Sequence, residues 1–135
     1  MLTKTNLSNT ISNAELGLDN YIVFRKDPSR KKSMGGTLIA IHKSLPCYVV
    51  PTNPKLEQIF VCVGQRRAEY IIECLYIPPN SPNTTYLMVS ESIDFIRNKY
   101  PSAELYIAGD FNLPRIEWNL IEDCSIALPR TDLYL

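Results

Sequence analysis

Three residues of this chain have side chains suited to chemistry on a phosphate ester. Asp110 and Asn112 lie one residue apart at the end of the apolar run "LYIAGDFN", and Tyr76 stands in "CLYIPP". A carboxylate can orient a water molecule or help to hold a divalent cation, and a neutral amide can bind a phosphoryl oxygen without adding negative charge. A phenol adds a hydrogen-bond donor to the same centre. These residue types indicate phosphodiester chemistry; the simpler alternative is that G-D-F-N is an ordinary turn after a strand.

The elements around these residues predict that they meet at one edge of a sheet. Two apolar runs, at 69–77 and 104–109, read as buried strands. Between them lies a turn at 80–85, which offers a Ser or Thr cap, and then a helix that ends at Pro101. Apolar residues recur at helical spacing on one face of that helix: Tyr86, Val89, Ile93, Ile96 and Tyr100. A strand–helix–strand unit favours parallel strands, whose carboxyl ends collect functional side chains.

Side-chain alternation along the second strand sets which way its last residues point. Asp110 and Asn112 are predicted to face a common mouth beside Tyr76, while Phe111 points the other way into packing. The runs at 20–26 and 37–43 read as an antiparallel hairpin joined by a basic loop. The run at 58–64 pairs with 69–77, and both are expected to be covered on both faces. The fold class is therefore α/β (α+β), with a mixed sheet and flanking helices.

Composition and charge indicate a single soluble domain with a real core. The chain has 135 residues, of which 45% are apolar and 21% charged, and its 14 basic and 14 acidic residues balance. No overall positive field therefore argues for nucleic acid, and any contact with phosphate must be local. The four cysteines form no C-x-x-C pair, and no signal-peptide or membrane-spanning run is evident. These features predict a soluble, intracellular protein that does not bind a membrane.

The motifs resemble those of the endonuclease/exonuclease/phosphatase family, and most closely the apurinic-like endonuclease domain of non-LTR retrotransposons. The similar stretches are "MGGTLIAIHKSL", "CLYIPPNSPNTTY" and "AELYIAGDFNLPRIEW", within a match that runs from about residue 2 to residue 118. The resemblance implies a four-layer β-sandwich flanked by helices and Mg²⁺-dependent nicking of DNA, with no small-molecule cofactor and a nuclear location. It also implies that Tyr76 contacts the scissile phosphate, Asp110 orients or activates the attacking water, and Asn112 stabilises the phosphoryl transition state.

The chain departs from the family pattern at three places. Lys4, in "LTKTNL", stands where the family has its metal-binding glutamate, and a fixed ammonium there would repel Mg²⁺. The family's first strand would precede Met1, and its closing S-D-H motif is missing, so the expectation is a domain truncated at both ends. His42, the single histidine, is expected to be a structural residue at a strand end. The acids Glu117, Glu122, Asp123 and Asp132 have no spacing that recommends them as substitutes.

These observations predict a partial domain at 1–120 followed by a divergent tail at 121–135. Three functions stay open: a DNA endonuclease fragment that is weak or inactive alone, a non-catalytic remnant that binds DNA or protein, and a family member that acts on a phosphorylated lipid or nucleotide. In the basic loop, Arg30, Lys31 and Lys32 are candidate contacts for DNA phosphates. A sheet face left uncovered by the truncation would favour self-association or a partner chain.

Overall fold

The computed structural model describes residues 1–28, 35–65 and 69–113, together with the backbone of two strands at 117–121 and 124–128. A 3-10 helix at Asn13–Leu16 and one α-helix, α1 (Asn83–Lys99), accompany the strands of this part of the chain. The strands, in chain order, are β1 (Leu2–Thr3), β2 (Tyr21–Lys26), β3 (Thr37–His42), β4 (Cys47–Val50), β5 (Glu57–Val63), β6 (Tyr70–Tyr76), β7 (Glu104–Asp110), β8 (Glu117–Ile121) and β9 (Cys124–Leu128). The mixture of strands and helix confirms the predicted fold class.

The strands form two main sheets that face each other. Sheet A has the order β1-β3-β2 and is antiparallel throughout. Sheet B has the order β4-β5-β6-β7, in which β6 and β7 are parallel and the other pairs are antiparallel. The predicted hairpin of β2 and β3, the pairing of β5 with β6 and the parallel strands on either side of α1 are therefore confirmed.

Strand β5 shows why its sequence is apolar at successive positions. Ile59, Val61 and Val63 pack toward Ile39 and Ile41 of sheet A, and this contact makes the core between the sheets. On the opposite face, the intervening residues Phe60 and Cys62 pack with Ile96 of α1. Because sheet A covers one face and α1 the other, both sets of side chains are buried, as the continuous apolar run predicts.

Helix α1 presents the predicted face to sheet B, but its first turn differs from the prediction. Val89 and Ile96 are its buried residues; Ile96 packs with Phe60 of β5, and Val89 packs in a group with Leu75 of β6. The residue before the helix is Pro82, and it makes no side-chain cap, whereas the sequence predicts a Ser or Thr cap. The Ser81 hydroxyl instead donates a hydrogen bond to the carbonyl of Pro78 at 2.7 Å, which stabilises the preceding turn.

The last part of the described chain lies at the edge of sheet B and beyond it. Among the described residues, β7 has a hydrogen-bonded neighbour on one side only, and its side chains Tyr106 and Ile107 are 50% and 41% exposed. The prediction of a buried strand at 104–109 is therefore wrong, since none of the residues of β7 is buried. Strands β8 and β9 form an antiparallel ribbon of their own, which the sequence does not predict. This ribbon has residues on both sides of the predicted boundary between residues 120 and 121. Within the described ranges, no helix has the length and apolar character needed to cross a membrane.

Candidate active site

The parallel pairing of β6 and β7 brings two of the predicted residues side by side. Tyr76 and Asp110 are register partners, so their side chains leave the sheet on the same face. Just beyond them, the backbone N–H of Ile77 donates to the carbonyl of Asp110 at 2.9 Å and extends the pairing by one step. The phenol and the carboxylate therefore lie together at the edge of sheet B that the carboxyl ends of β6 and β7 form, where the sequence predicts them.

The glycine of G-D-F-N has a structural reason. Gly109 lies opposite Leu75, and a Cβ on Gly109 would collide with the backbone carbonyl of Leu75. Only a residue without a side chain allows β7 to approach β6 this closely. The glycine thus sets how near the next residue, Asp110, comes to Tyr76.

Asn112 lies at the same edge, in a turn with a left-handed backbone. Its φ angle is 43°, and its backbone N–H donates to Oδ1 of Asp110 at 3.3 Å. Its side-chain Nδ2 donates to the carbonyl of Ile77 at 2.8 Å. The Tyr86 hydroxyl of α1 donates to the carbonyl of Asn112 at 3.1 Å, and Phe111 packs against the core as predicted. The turn is therefore held from both β6 and α1.

Lys4 reaches the same place from the N-terminal segment. Its Nζ lies 2.7 Å from Oδ2 of Asp110 and 5.8 Å from the centroid of the Tyr76 ring. The hydrogen bond with Lys4 holds the pKa of Asp110 below its ordinary value, and the same contact raises the pKa of Lys4. Upstream, the Cys74 thiol donates to the carbonyl of Leu2 at 3.3 Å and ties β1 to β6. The residue that departs from the family pattern thus contacts the predicted site directly.

Glu57 is a site residue that the sequence reasoning missed. It is the register partner of Tyr76 on the other side from Asp110, so a carboxylate lies on each side of the phenol, on one face of sheet B. The signal was present in the sequence: counting back from the turn of the predicted hairpin of 58–64 with 69–77 places Glu57 opposite Tyr76. The residue lies one position before the predicted strand.

The side chains at this edge do not fit Mg²⁺ as they stand. Mg²⁺ needs several oxygen ligands in near-octahedral geometry. One oxygen of Asp110 is bonded to the Lys4 ammonium and the other to the backbone N–H of Asn112. Across the described ranges, no group of three or more His, Cys, Asp or Glu residues is placed to hold a metal ion. A cation at Asp110 would have to displace the ammonium first.

The single histidine does not lie at this edge. His42 ends β3, where its ring contacts Ser44 at 2.8 Å and lies edge-on to Tyr21, so its predicted place at a strand end is confirmed. The candidate DNA contacts Arg30, Lys31 and Lys32 fall outside the described residues.

Two basic residues at the end of β2, just before that loop, form hydrogen bonds or an ion pair within the chain. Arg25 pairs with Asp27 at 3.2 Å and also donates to the carbonyl of Ser8. Lys26 donates to the carbonyl of Asn53 at 2.9 Å. These contacts hold β2 in place and give both side chains a structural role.

Comparison of the chain with models of known protein families and with curated proteins finds no match in either case. The resemblance to the endonuclease/exonuclease/phosphatase family therefore stays a prediction that depends on the motifs and on where they lie.

Proposed function

We propose that this chain contains a phosphodiester-hydrolase site of the endonuclease/exonuclease/phosphatase type, of retrotransposon origin, that acts on DNA and whose own cleavage activity is weak or absent. The observation that supports it best is the placement of Tyr76 and Asp110 as register partners, with Asn112 bonded to the same carboxylate. A carboxylate and an amide that are partly exposed, with a phenol buried to 3% exposure beside them, suit a phosphate ester and a water molecule.

Weak activity follows from the lowered pKa of the Asp110 carboxyl group and from its bond to Lys4. Asp110 would act on the attacking water as an acceptor for its proton, and a base is weakened when its pKa falls. The hydrogen bond from Lys4 is the main cause of the lowered pKa of Asp110. Because the same contact occupies Oδ2, a water molecule would compete with the ammonium for that oxygen. Mg²⁺, the cofactor that the resemblance implies, enters no step of this proposal for the same reason.

A non-catalytic remnant that binds DNA or protein is the second candidate, and the Lys4–Asp110 ion pair favours it. In this case the site keeps the shape of a hydrolase but has lost the means to activate water. A cation beside Tyr76 would still attract a phosphate, so DNA binding would outlast cleavage.

Nicking of supercoiled plasmid distinguishes the two candidates. Purified protein would be incubated with plasmid and Mg²⁺ beside an Asp110→Ala variant and an Asp94→Ala control, since Asp94 is an exposed acid on α1. The hydrolase proposal expects slow nicking by the parent and by Asp94→Ala, and none by Asp110→Ala. Equal nicking by all three proteins would indicate a contaminating nuclease. Binding of DNA without any nicking would leave the remnant as the function.

A further inference from the structure

The Asp110 carboxylate has its charge neutralised by the chain itself. In a site built for a metal, a carboxylate waits for a cation, and without one its negative charge repels phosphate. Here the ammonium of Lys4 lies 2.7 Å from Oδ2, and the backbone N–H of Asn112 approaches Oδ1 at 3.3 Å. The negative charge that would repel a phosphate is therefore already neutralised without a metal ion.

Lys4 is held in this position by its backbone on both sides. Before it, Thr3 pairs with Thr37 of β3. After it, the N–H groups of Thr5 and Asn6 donate to the carbonyls of Gly36 and Gly35 at 3.4 and 2.9 Å, respectively. Lys4 itself has a φ angle of 53°, in the left-handed region that a lysine rarely adopts. Such a conformation persists only where the surrounding contacts impose it, so the fold sets the direction in which this side chain leaves the backbone.

The ammonium is also open to a ligand. The Lys4 side chain is 45% exposed, compared with 29% for Asp110, so the cation is the more accessible of the two charges. An ammonium has three N–H donors, and one bond to a carboxylate leaves donors for a second acceptor. The Tyr76 ring lies 5.8 Å from the ammonium and is only 3% exposed, so the ammonium and not the phenol is the group that a ligand meets.

We propose that the Lys4 ammonium takes the place of a metal ion, so that this edge of the sheet binds a DNA phosphate without any metal. The inference rests on the proposed function for its ligand, a phosphodiester, and adds how that ligand is held. Lysine binds phosphate as a compact point charge, and each such contact contributes to the salt dependence of binding. The Lys4→Glu variant would reverse this arrangement, because two adjacent carboxylates repel phosphate until a cation binds between them.

Fluorescence anisotropy of a labelled DNA duplex tests the proposal on the full chain. Binding would be measured in EDTA and in Mg²⁺ at matched ionic strength for the parent, Lys4→Met, Lys4→Glu and the control Lys43→Met. Lys43 is an exposed lysine just after β3, at the end of that strand away from Lys4. Circular dichroism of each variant would show that it is folded.

The expected result is parent binding that is the same in EDTA and in Mg²⁺. Lys4→Met should weaken it about tenfold in both buffers and lower the salt slope by about one, as for loss of one charged phosphate contact. Lys43→Met should bind like the parent, and Lys4→Glu should bind only with Mg²⁺. The proposal is overturned if parent binding requires Mg²⁺, if the parent does not bind DNA, or if Lys4→Met matches Lys43→Met.

The two proposals fail in different ways. Absence of plasmid nicking, with EDTA-resistant binding that depends on Lys4, would remove the hydrolase function and keep this inference. If the parent nicks plasmid but binds DNA only in the presence of Mg²⁺, the hydrolase proposal stands and this inference is overturned.

Discussion

The Oε2 atom of Glu57 accepts a hydrogen bond from the backbone N–H of Gly36 at 2.6 Å. A Cβ on Gly35 would lie 2.6 Å from the same oxygen, so the carboxylate sits directly against this glycine pair. The carbonyl of Gly35 in turn accepts the N–H of Asn6, two residues after Lys4. Glu57 therefore fixes the backbone that positions the Lys4 side chain, although it touches neither Lys4 nor Asp110 through a hydrogen bond or ion pair among the described contacts.

Replacement of Glu57 by alanine should destabilise the fold. The change removes a charged hydrogen-bond acceptor from Gly36, which is expected to lower the free energy of unfolding by about 2 kcal/mol in urea denaturation. Glu91→Ala, at an exposed acid of α1, is the control and should change it by less than about 0.5 kcal/mol. Equal stabilities for the two variants would show that the Glu57 contact contributes nothing.

Replacement of Gly109 by alanine should separate the two parallel strands. The new methyl group would meet the backbone carbonyl of Leu75, which cannot move without breaking the β6–β7 pairing. We expect a loss of at least about 2 kcal/mol in the free energy of unfolding, together with loss of any DNA binding or nicking. The control is Ala108→Gly, at the preceding residue of β7, which removes a methyl group and should cost only about 1 kcal/mol. A fully stable Gly109→Ala protein would contradict the close approach of the strands.

A buried carboxyl group connects sheet B to α1. Glu73 and Gln58 are fully buried, and Nε2 of Gln58 donates to Oε1 of Glu73 at 2.6 Å. The Ser92 hydroxyl of α1 donates to Oε1 of Gln58 at 2.8 Å. Oε2 of Glu73 has no hydrogen-bond partner in the part of the chain that the structure describes. Burial raises the pKa of Glu73 from 4.5 to about 7, against the opposing effect of the Gln58 hydrogen bond.

The contribution of Glu73 to the stability of the protein should therefore fall as the pH rises toward neutrality. In the unfolded chain Glu73 releases its proton near its ordinary pKa of 4.5, whereas the folded protein keeps it up to about 7. The folded state thus binds more protons than the unfolded chain between these two pH values. The stability that Glu73 contributes is therefore fully present below pH 4.5 and is lost above about pH 7. The shift corresponds to about 3 kcal/mol.

Urea denaturation of the parent and of Glu73→Gln at several pH values checks this expectation. Glutamine keeps the size and an acceptor oxygen but does not titrate, so the difference in stability between the two proteins should change across this pH range. Other titrating groups contribute equally to both proteins and cancel in the comparison. A difference that stays constant with pH would show that Glu73 is not buried in the way described.

Strands β5 and β6 of sheet B could be predicted from the sequence because both are buried along most of their length. Residues at 58–64 and 69–77 are apolar at most positions, and their short length and their β-branched and aromatic residues favour buried strands over a buried helix. Strands β1 and β4 were not predicted, since Leu2–Thr3 is too short to show a period and Cys47–Val50 lies between turn-forming residues. The predicted helix cap was wrong because Pro82 occupies the N-cap position, and proline has no side-chain oxygen to accept a hydrogen bond from the first turn.

The contacts of the candidate site could likewise be predicted only in part. Tyr76 and Asp110 could be brought together from the strand–helix–strand pattern alone, because parallel pairing follows from the crossover. The contact of Lys4 with Asp110 could not, since it joins segments far apart in the sequence and depends on the pairing of β1 with β3. The motif resemblance marked position 4 as a departure, but only the structure shows that its ammonium meets the carboxylate.

Plasmid nicking by Lys4→Glu, measured beside the parent and the double variant Lys4→Glu/Asp110→Ala, tests most directly whether this edge is a phosphodiester site blocked by Lys4. The account predicts that Lys4→Glu nicks plasmid faster than the parent in Mg²⁺, and that EDTA or the second substitution abolishes the gain. A folded Lys4→Glu protein that nicks no faster than the parent would contradict it.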